Sequence, residues 1–151
     1  MAYVTGPRPD GCVFCDALAA NEDEQNYILH RGATCFVILN AYPYNTGHAM
    51  ILPNRHIVDV TEMTTEESHE TMALVPRLVR TFRETMGCQG VNVGLNLGDA
   101  AGGSIAHLHW HLVPRWGGDT NFMPVIGEAK VVVEMLDDTY RRLRPSVEGW
   151  T

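Results

Sequence analysis

His107-Leu108-His109-Trp110-His111-Leu112-Val113 decides how the rest of this chain is read. Imidazoles recur at every second position, interleaved with Leu108, Trp110 and Leu112. Side chains alternate faces along a strand with period two, so a strand puts all three histidines on one face and the apolar residues into the core. A helix would rotate successive histidines apart by about 200° and split the apolar set. The alternation predicts a strand over 107–113 that presents a row of imidazoles to a ligand. The bland alternative is a cluster on a solvated strand face, but three of the chain's seven histidines fall here.

The stretch just upstream, Gly94-Leu95-Asn96-Leu97-Gly98-Asp99-Ala100-Ala101-Gly102-Gly103-Ser104, runs straight into that row. Its glycines let bare backbone N–H groups approach an anion, although glycine serves any tight turn. The loop alone decides little. Feeding into three same-face histidines, it points to a phosphate held by backbone donors beside an imidazole nucleophile.

Composition bounds the answer further. At 151 residues the chain suits one domain, with residues 1–10 as a flexible lead-in and 11–151 as the folded unit. A net charge of −7 argues against a nucleic-acid or anionic-membrane partner, which would call for a basic stripe. Phosphate binding then needs a local positive pocket, for which the histidines, loop N–H groups and Arg115 are candidates. No apolar run approaches the roughly 20 residues that span a bilayer, and residues 1–10 show no apolar signal region. A cytoplasmic protein is expected.

The remainder reads as short strands alternating with two helices. Cys35–Leu39, His48–Pro53 and Val91–Leu97 are apolar runs suited to strands, and Asn40–Gly47 is a turn-rich loop. Thr65-Glu66-Glu67 opens a helix, with Met72, Val75, Leu78, Val79, Phe82 and Met86 at helical spacing and Pro76 as a kink or broken bond. Lys130–Arg144 forms the second helix, with Val133, Leu136, Tyr140 and Leu143 on one face and Pro145 beyond it. The fold class is α+β, an antiparallel sheet with two helices packed against it. Among the cysteines, Cys12 and Cys15 make a Cys-x-x-Cys pair, whose spacing fits a metal as well as it fits two ordinary cysteines. A redox pair lacks an evident following helix, and Cys35 and Cys88 read as small apolar fillers.

The His-φ-His-φ-His-φ-φ run, φ being apolar, resembles the signature of the histidine triad (HIT) family of nucleotide hydrolases and transferases. So do Phe36–Pro43, Gly47-His48-Ala49-Met50-Ile51-Leu52-Pro53 and Arg55-His56, and the likeness covers Gly11 to Tyr140. Val113–Phe122 is similar to the diadenosine polyphosphate hydrolase and phosphorylase branch. The resemblance implies a HIT-like sheet, a homodimer, and a dinucleoside polyphosphate as substrate. His109 would attack the α-phosphorus to form a nucleotidyl-histidine, with AMP passing to water or phosphate. His109 would hold its tautomer through a carbonyl near the third histidine. His111, Ser104 and the N–H groups of Gly102 and Gly103 would donate to phosphate oxygens. Asn96 falls where an amide meets the phosphate chain, Asn40 where ribose hydroxyls are held, and His48 near the phosphates. Cys12, Cys15, His56 and His107 would close a structural zinc site.

The third motif residue is His111, where the larger phosphorylases and the uridylyltransferases carry Gln. Trp110 is bulkier than usual, and its indole N–H wants a partner if buried. Trp116, Asp119, Asn121 and Phe122 either shape a second nucleotide's pocket or form an ordered loop. Other functions stay open at this point: an adenosine phosphoramidase, or a nucleotide-binding regulator without turnover. A catalytic metal on His107, His109 and His111 is the reading should the resemblance mislead.

Overall fold

The computed structural model describes residues 11–119 and 134–150. Five strands, β1 (Ile28–Arg31), β2 (Cys35–Leu39), β3 (Ala49–Pro53), β4 (Gly90–Gly94) and β5 (Trp110–Arg115), form one sheet. Their order is β1-β2-β3-β5-β4 and every pairing is antiparallel. The helices are α1 (Val13–Ala20), the single turn α2 (Asp23–Asn26), α3 (Thr65–Met86) and α4 (Leu136–Val147). The expected α+β class holds, with the two long helices on one face.

Strands β2 and β3 are buried at every position because both sheet faces are covered. On one face Val37, Leu39, Ala49, Ile51 and Leu112 meet Leu74, Leu78 and Phe82 of α3 and Tyr140, Leu143 and Val147 of α4. On the other, Phe36, Ile38, Met50 and Leu52 meet Phe14 and Ala17 of α1. A strand covered on both sides reads as a continuous apolar run rather than an alternating one. The short helix α1 and strand β1 were not foreseen. Helix α1 starts inside the Cys-x-x-Cys pair, with Cys12 as its N-cap, so a helix does follow those thiols.

Strand boundaries differ from expectation at both ends of the glycine loop. β4 stops at Gly94 and β5 starts at Trp110, so Leu95–Leu97 and His107–His109 lie outside the ladder. Leu108 is held instead by its N–H to the Ile57 carbonyl at 2.7 Å. The three histidines still share one side: Phe14 contacts His107 and His109, and His109 packs on His111. Trp110 and Leu112 face the helices, while His111 lies opposite Met50 on the other face. The Trp110 indole N–H is buried without a partner among the described residues.

Helix α3 is opened by a capping box. Thr64 Oγ1 accepts from the Glu67 N–H at 3.2 Å, and Glu67 Oε2 accepts from the Thr64 N–H at 2.8 Å. Its buried stripe is Thr71, Leu74, Leu78, Thr81 and Phe82, while Met72 is exposed. Pro76 does not end the helix, since it lies on the solvent side where water can serve the freed carbonyl. Gly87 closes α3 at a φ of 62°. Helix α4 starts at Leu136, later than expected, and runs through Pro145 to Val147; residues 130–133, with Val133, lie outside the described set. Glu70 of α3 clamps the β1–β2 turn, accepting from the Ala33 and Cys35 N–H groups at 2.8 Å and from Thr34.

Candidate active site and metal cluster

Five of the seven histidines line up as His48, His111, His109, His107 and His56. The loop before β3 brings His48 to His111 of β5, and the run leading into β5 carries His107 and His109. His109, 8% exposed, donates its Nδ1–H to the carbonyl of His107 at 2.6 Å. A carbonyl can only accept, so this bond fixes the tautomer and leaves the Nε2 lone pair as the reactive one. The acceptor is the first triad residue's carbonyl, not one near the third as the resemblance implied. Burial holds His109 below the ordinary histidine range, so it is neutral and nucleophilic at pH 7.

The tautomers of the next two rings follow from one backbone donor. The Tyr44 N–H donates to His48 Nδ1 at 3.1 Å, so neutral His48 carries its proton on Nε2. That Nε2–H donates to His111 Nδ1 at 2.9 Å, which leaves Nε2–H as the outward donor of His111. His111 packs against His109 with ring centroids 4.7 Å apart. His48 is 1% exposed, and burial together with His111 and His109 lowers it to about 3. Burial and His109 lower His111 to about 4. Asn40 stands beside this pair: its Oδ1 accepts from the Tyr42 N–H, and its Nδ2 lies 3.4 Å from His48 Nδ1.

These depressed values carry a stability consequence with a definite sign. The unfolded chain protonates His48 and His111 near pH 6.5, while the folded chain resists until about 3 and 4. Their contribution is present above pH 6.5 and is lost as pH falls toward about 4. Thermal melts across that window should show Tm declining, with a shallower decline in His48→Asn. An identical slope in that variant would refute the assignment.

The glycine loop is a compact turn. Gly98 and Gly102 have φ of 77° and 89°, which favours glycine, and a Cβ at Gly103 would sit 3.0 Å from the Gly98 carbonyl oxygen. The Gly102 N–H donates to the Asp99 carbonyl and the Gly103 N–H to the Gly98 carbonyl, each at 3.0 Å. Both N–H groups are therefore engaged inside the turn, against the expectation that they reach a phosphate. Ser104 is exposed, and the Asn96 amide lies 3.9 Å from where a Gly102 Cβ would be. Ile105 anchors the loop's end among the apolar residues around Phe14.

Next to the imidazole row, Cys12, Cys15, His56 and His107 bring their ligand atoms within 4.8 Å of one another. Cys12 Sγ and Cys15 Sγ lie 3.3 and 3.6 Å from His107 Nδ1, and Cys15 Sγ lies 3.5 Å from His56 Nδ1. A tetrahedral zinc with ordinary bond lengths separates sulfur from nitrogen by about 3.5 Å, so the group fits that metal. His107 Nε2–H donates to the Pro53 carbonyl at 3.0 Å, turning the Nδ1 lone pair toward the thiols. Burial and Cys12 push the Cys15 thiol up to about 11, so a cation is what would remove its proton. The three triad rings do not converge on a metal of their own. His107 turns to the thiols, and the Nδ1 atoms of His109 and His111 are taken by the His107 carbonyl and by His48.

Beyond the strand, the expectation for Arg115 is revised, and of the two readings for Trp116 and Asp119 the ordered loop is the one their contacts favour. Arg115 is gripped by Asp119 through two 2.7 Å bonds and by Asn92, so its charge is spent on structure. Trp116 packs with the helix-side core and donates to the Met86 carbonyl, away from the imidazole row. Thr120, Asn121 and Phe122 lie outside the described residues. Two neighbours went unread in the sequence. Phe14 contacts both His107 and His109, and Tyr44 covers His48 and His111. The signal for Tyr44 was a bulky aromatic in a Pro- and Asn-rich turn.

Comparison with known proteins agrees with this geometry. The model of the HIT domain matches residues 21–118. AP-4-A phosphorylase of Mycobacterium tuberculosis is 47% identical over 122 residues, which are 80% of this chain and 63% of that protein. The chain thus spans less than two thirds of that relative's length. Protein hit of Bacillus subtilis is 29% identical over 75% of this chain and 77% of its own. Among solved structures, a Zn-bound histidine triad family protein from Mycobacterium smegmatis superposes with a TM-score of 0.75 at 27% identity, covering 91% of this chain and 94% of that one. With the triad, the sheet order and these matches in hand, the chain belongs to the HIT family.

Proposed function

We propose that this protein is a nucleotidyl transferase that cleaves dinucleoside polyphosphates and passes AMP to inorganic phosphate. The observation that carries the reading is His109, with Nδ1–H fixed on the His107 carbonyl and a free Nε2 beside the donor end of His111. The relative named AP-4-A phosphorylase supports the choice of substrate and acceptor. His109 Nε2 attacks the α-phosphorus of diadenosine tetraphosphate, the bond to the bridging oxygen breaks, and ATP leaves. His111 Nε2–H donates to the oxygen on which charge develops. A phosphate oxygen then attacks the same phosphorus, the N–P bond breaks, and ADP forms with His109 restored. Asn40 holds the ribose of the retained nucleotide, while Asn96 and Ser104 contact the phosphate chain. Gly102 and Gly103 shape the turn that carries Ser104.

Cys12, Cys15, His56 and His107 would hold a structural zinc with no open position, and the Zn-bound neighbour supports that choice. The four cysteines are free thiols, which suits a cytoplasmic, reducing setting. Among the described residues no helix is long and apolar enough to cross a membrane. Strand β4 is one of the sheet's two edges, with Val93 exposed, and a second copy pairing there would give the expected homodimer.

Product analysis of diadenosine tetraphosphate turnover tests the reaction. ADP plus ATP, formed only when phosphate is present, is the expected result. AMP plus ATP regardless of phosphate would replace the acceptor with water. No turnover, alongside AMP release from an adenosine phosphoramidate, would overturn the substrate assignment.

A further inference from the structure

The row of imidazoles has a closed end and an open one. At the closed end the thiol cluster and Phe14 wall off His107 and one side of His109. At the open end Tyr44 lies over the last two rings. Its ring centroid is 5.7 Å from His111 at 28° and 4.5 Å from His48. Yet the residue is 67% exposed. An aromatic side chain of this size normally withdraws from water, and this one stands in it on a loop with little freedom. Its own N–H is bound to His48 Nδ1, and Asn45 Nδ2 donates to the Pro114 carbonyl at 3.1 Å and to Asp119 at 2.9 Å. Gly47, at a φ of 80°, is wedged where a Cβ would meet Met86 at 2.8 Å. The ring is thus preorganised, with one face against the catalytic histidines and the rest open.

We propose that Tyr44 is a stacking platform for the nucleobase of the departing nucleotide, and so selects dinucleoside over mononucleoside polyphosphates. The proposal rests on the nucleotidyl-transfer reading, because it assigns Tyr44 to the half of the substrate that leaves. An aromatic face accepts any base, so it gives affinity for a second nucleoside without fixing that base's identity. Half-buried Asn40 and the glycine turn, also near the row, fit this division. Asn40, committed to His48 and the Tyr42 N–H, belongs to the retained ribose, and the glycine turn belongs to the phosphates.

The test separates the two halves of the substrate by binding alone. In a His109→Asn background, affinities for diadenosine tetraphosphate and for AMP are measured with Tyr44, Tyr44→Phe and Tyr44→Ala. Loss of the ring should weaken the dinucleotide roughly five- to 150-fold, leave AMP within twofold, and be rescued by phenylalanine. Equal weakening of AMP would place Tyr44 at the retained nucleotide and overturn the proposal, as would no weakening of either. Failure of phenylalanine to rescue would overturn stacking in favour of the hydroxyl. Turnover of the unsubstituted enzyme is scored separately, so a failure of the phosphorolysis reading does not mimic a failure here.

Discussion

His109→Asn removes turnover of diadenosine tetraphosphate by at least about 10⁴-fold, while nucleotide affinity changes only a few-fold. The expectation follows from what that side chain does and does not touch. Its Nδ1–H is bound to the His107 carbonyl, and an asparagine amide can keep a donor in nearly that place. What asparagine lacks is the second nitrogen, whose lone pair is the proposed nucleophile toward phosphorus. The packing of Phe14 and His111 around the site should survive, since the replacement is smaller and polar at the same position. The check is a single-turnover assay paired with a binding titration on the same preparation. A loss of tenfold or less would mean that phosphoryl transfer proceeds by direct attack of the acceptor, and the covalent intermediate would have to be abandoned. Trapping a nucleotidylated wild-type chain, absent in His109→Asn, would tie the loss to the intermediate itself.

The site was legible in the sequence where spacing alone dictates geometry. A period of two across His107, His109 and His111 survives even though only His111 belongs to the hydrogen-bonded strand. Backbone pleat needs extended residues, not a ladder partner, and Leu108 finds its bond at Ile57 instead. Cys12, Cys15, His56 and His107 were placed by resemblance and do converge. Contacts between distant segments were not legible. Nothing local in Pro43-Tyr44-Asn45 says that a backbone N–H will set the tautomer of His48. Arg115 looked like a phosphate ligand because the Asp119 that neutralises it, four residues on, is tied down by Asn45 from another loop. Likewise, Met72 fits the helical stripe of α3 by spacing but falls on its solvent side, while Leu74 is buried. Apolar spacing gives a stripe, and only the packed sheet fixes its centre.

Removing one of the proposed metal ligands should lower stability and turnover together, and His107 is the reason. Its side chain enters the thiol cluster while its carbonyl holds the His109 Nδ1–H, so one residue serves both groups. Cys12 stands at the N-cap position of α1, and Phe14 two residues on packs against both histidine rings. Cys12→Ala should therefore lose most of its bound zinc and about 3–5 kcal/mol of stability, or about 10 °C in Tm. That figure lies well below the folding energy of an isolated zinc finger because the sheet keeps two apolar cores regardless of the metal. Turnover should fall further than the unfolded fraction explains, since a loosened His107 peptide no longer holds the nucleophile's tautomer. The measurements are zinc content, thermal melts with and without a chelator, and kcat at a temperature where the variant is folded. Metal-free protein with an unchanged Tm would refute the structural site. A chelator that abolishes turnover while Tm stays put would instead point to a metal acting on the substrate. That outcome would reopen the triad as a ligand set, at odds with three rings whose Nδ1 atoms each already face a different partner.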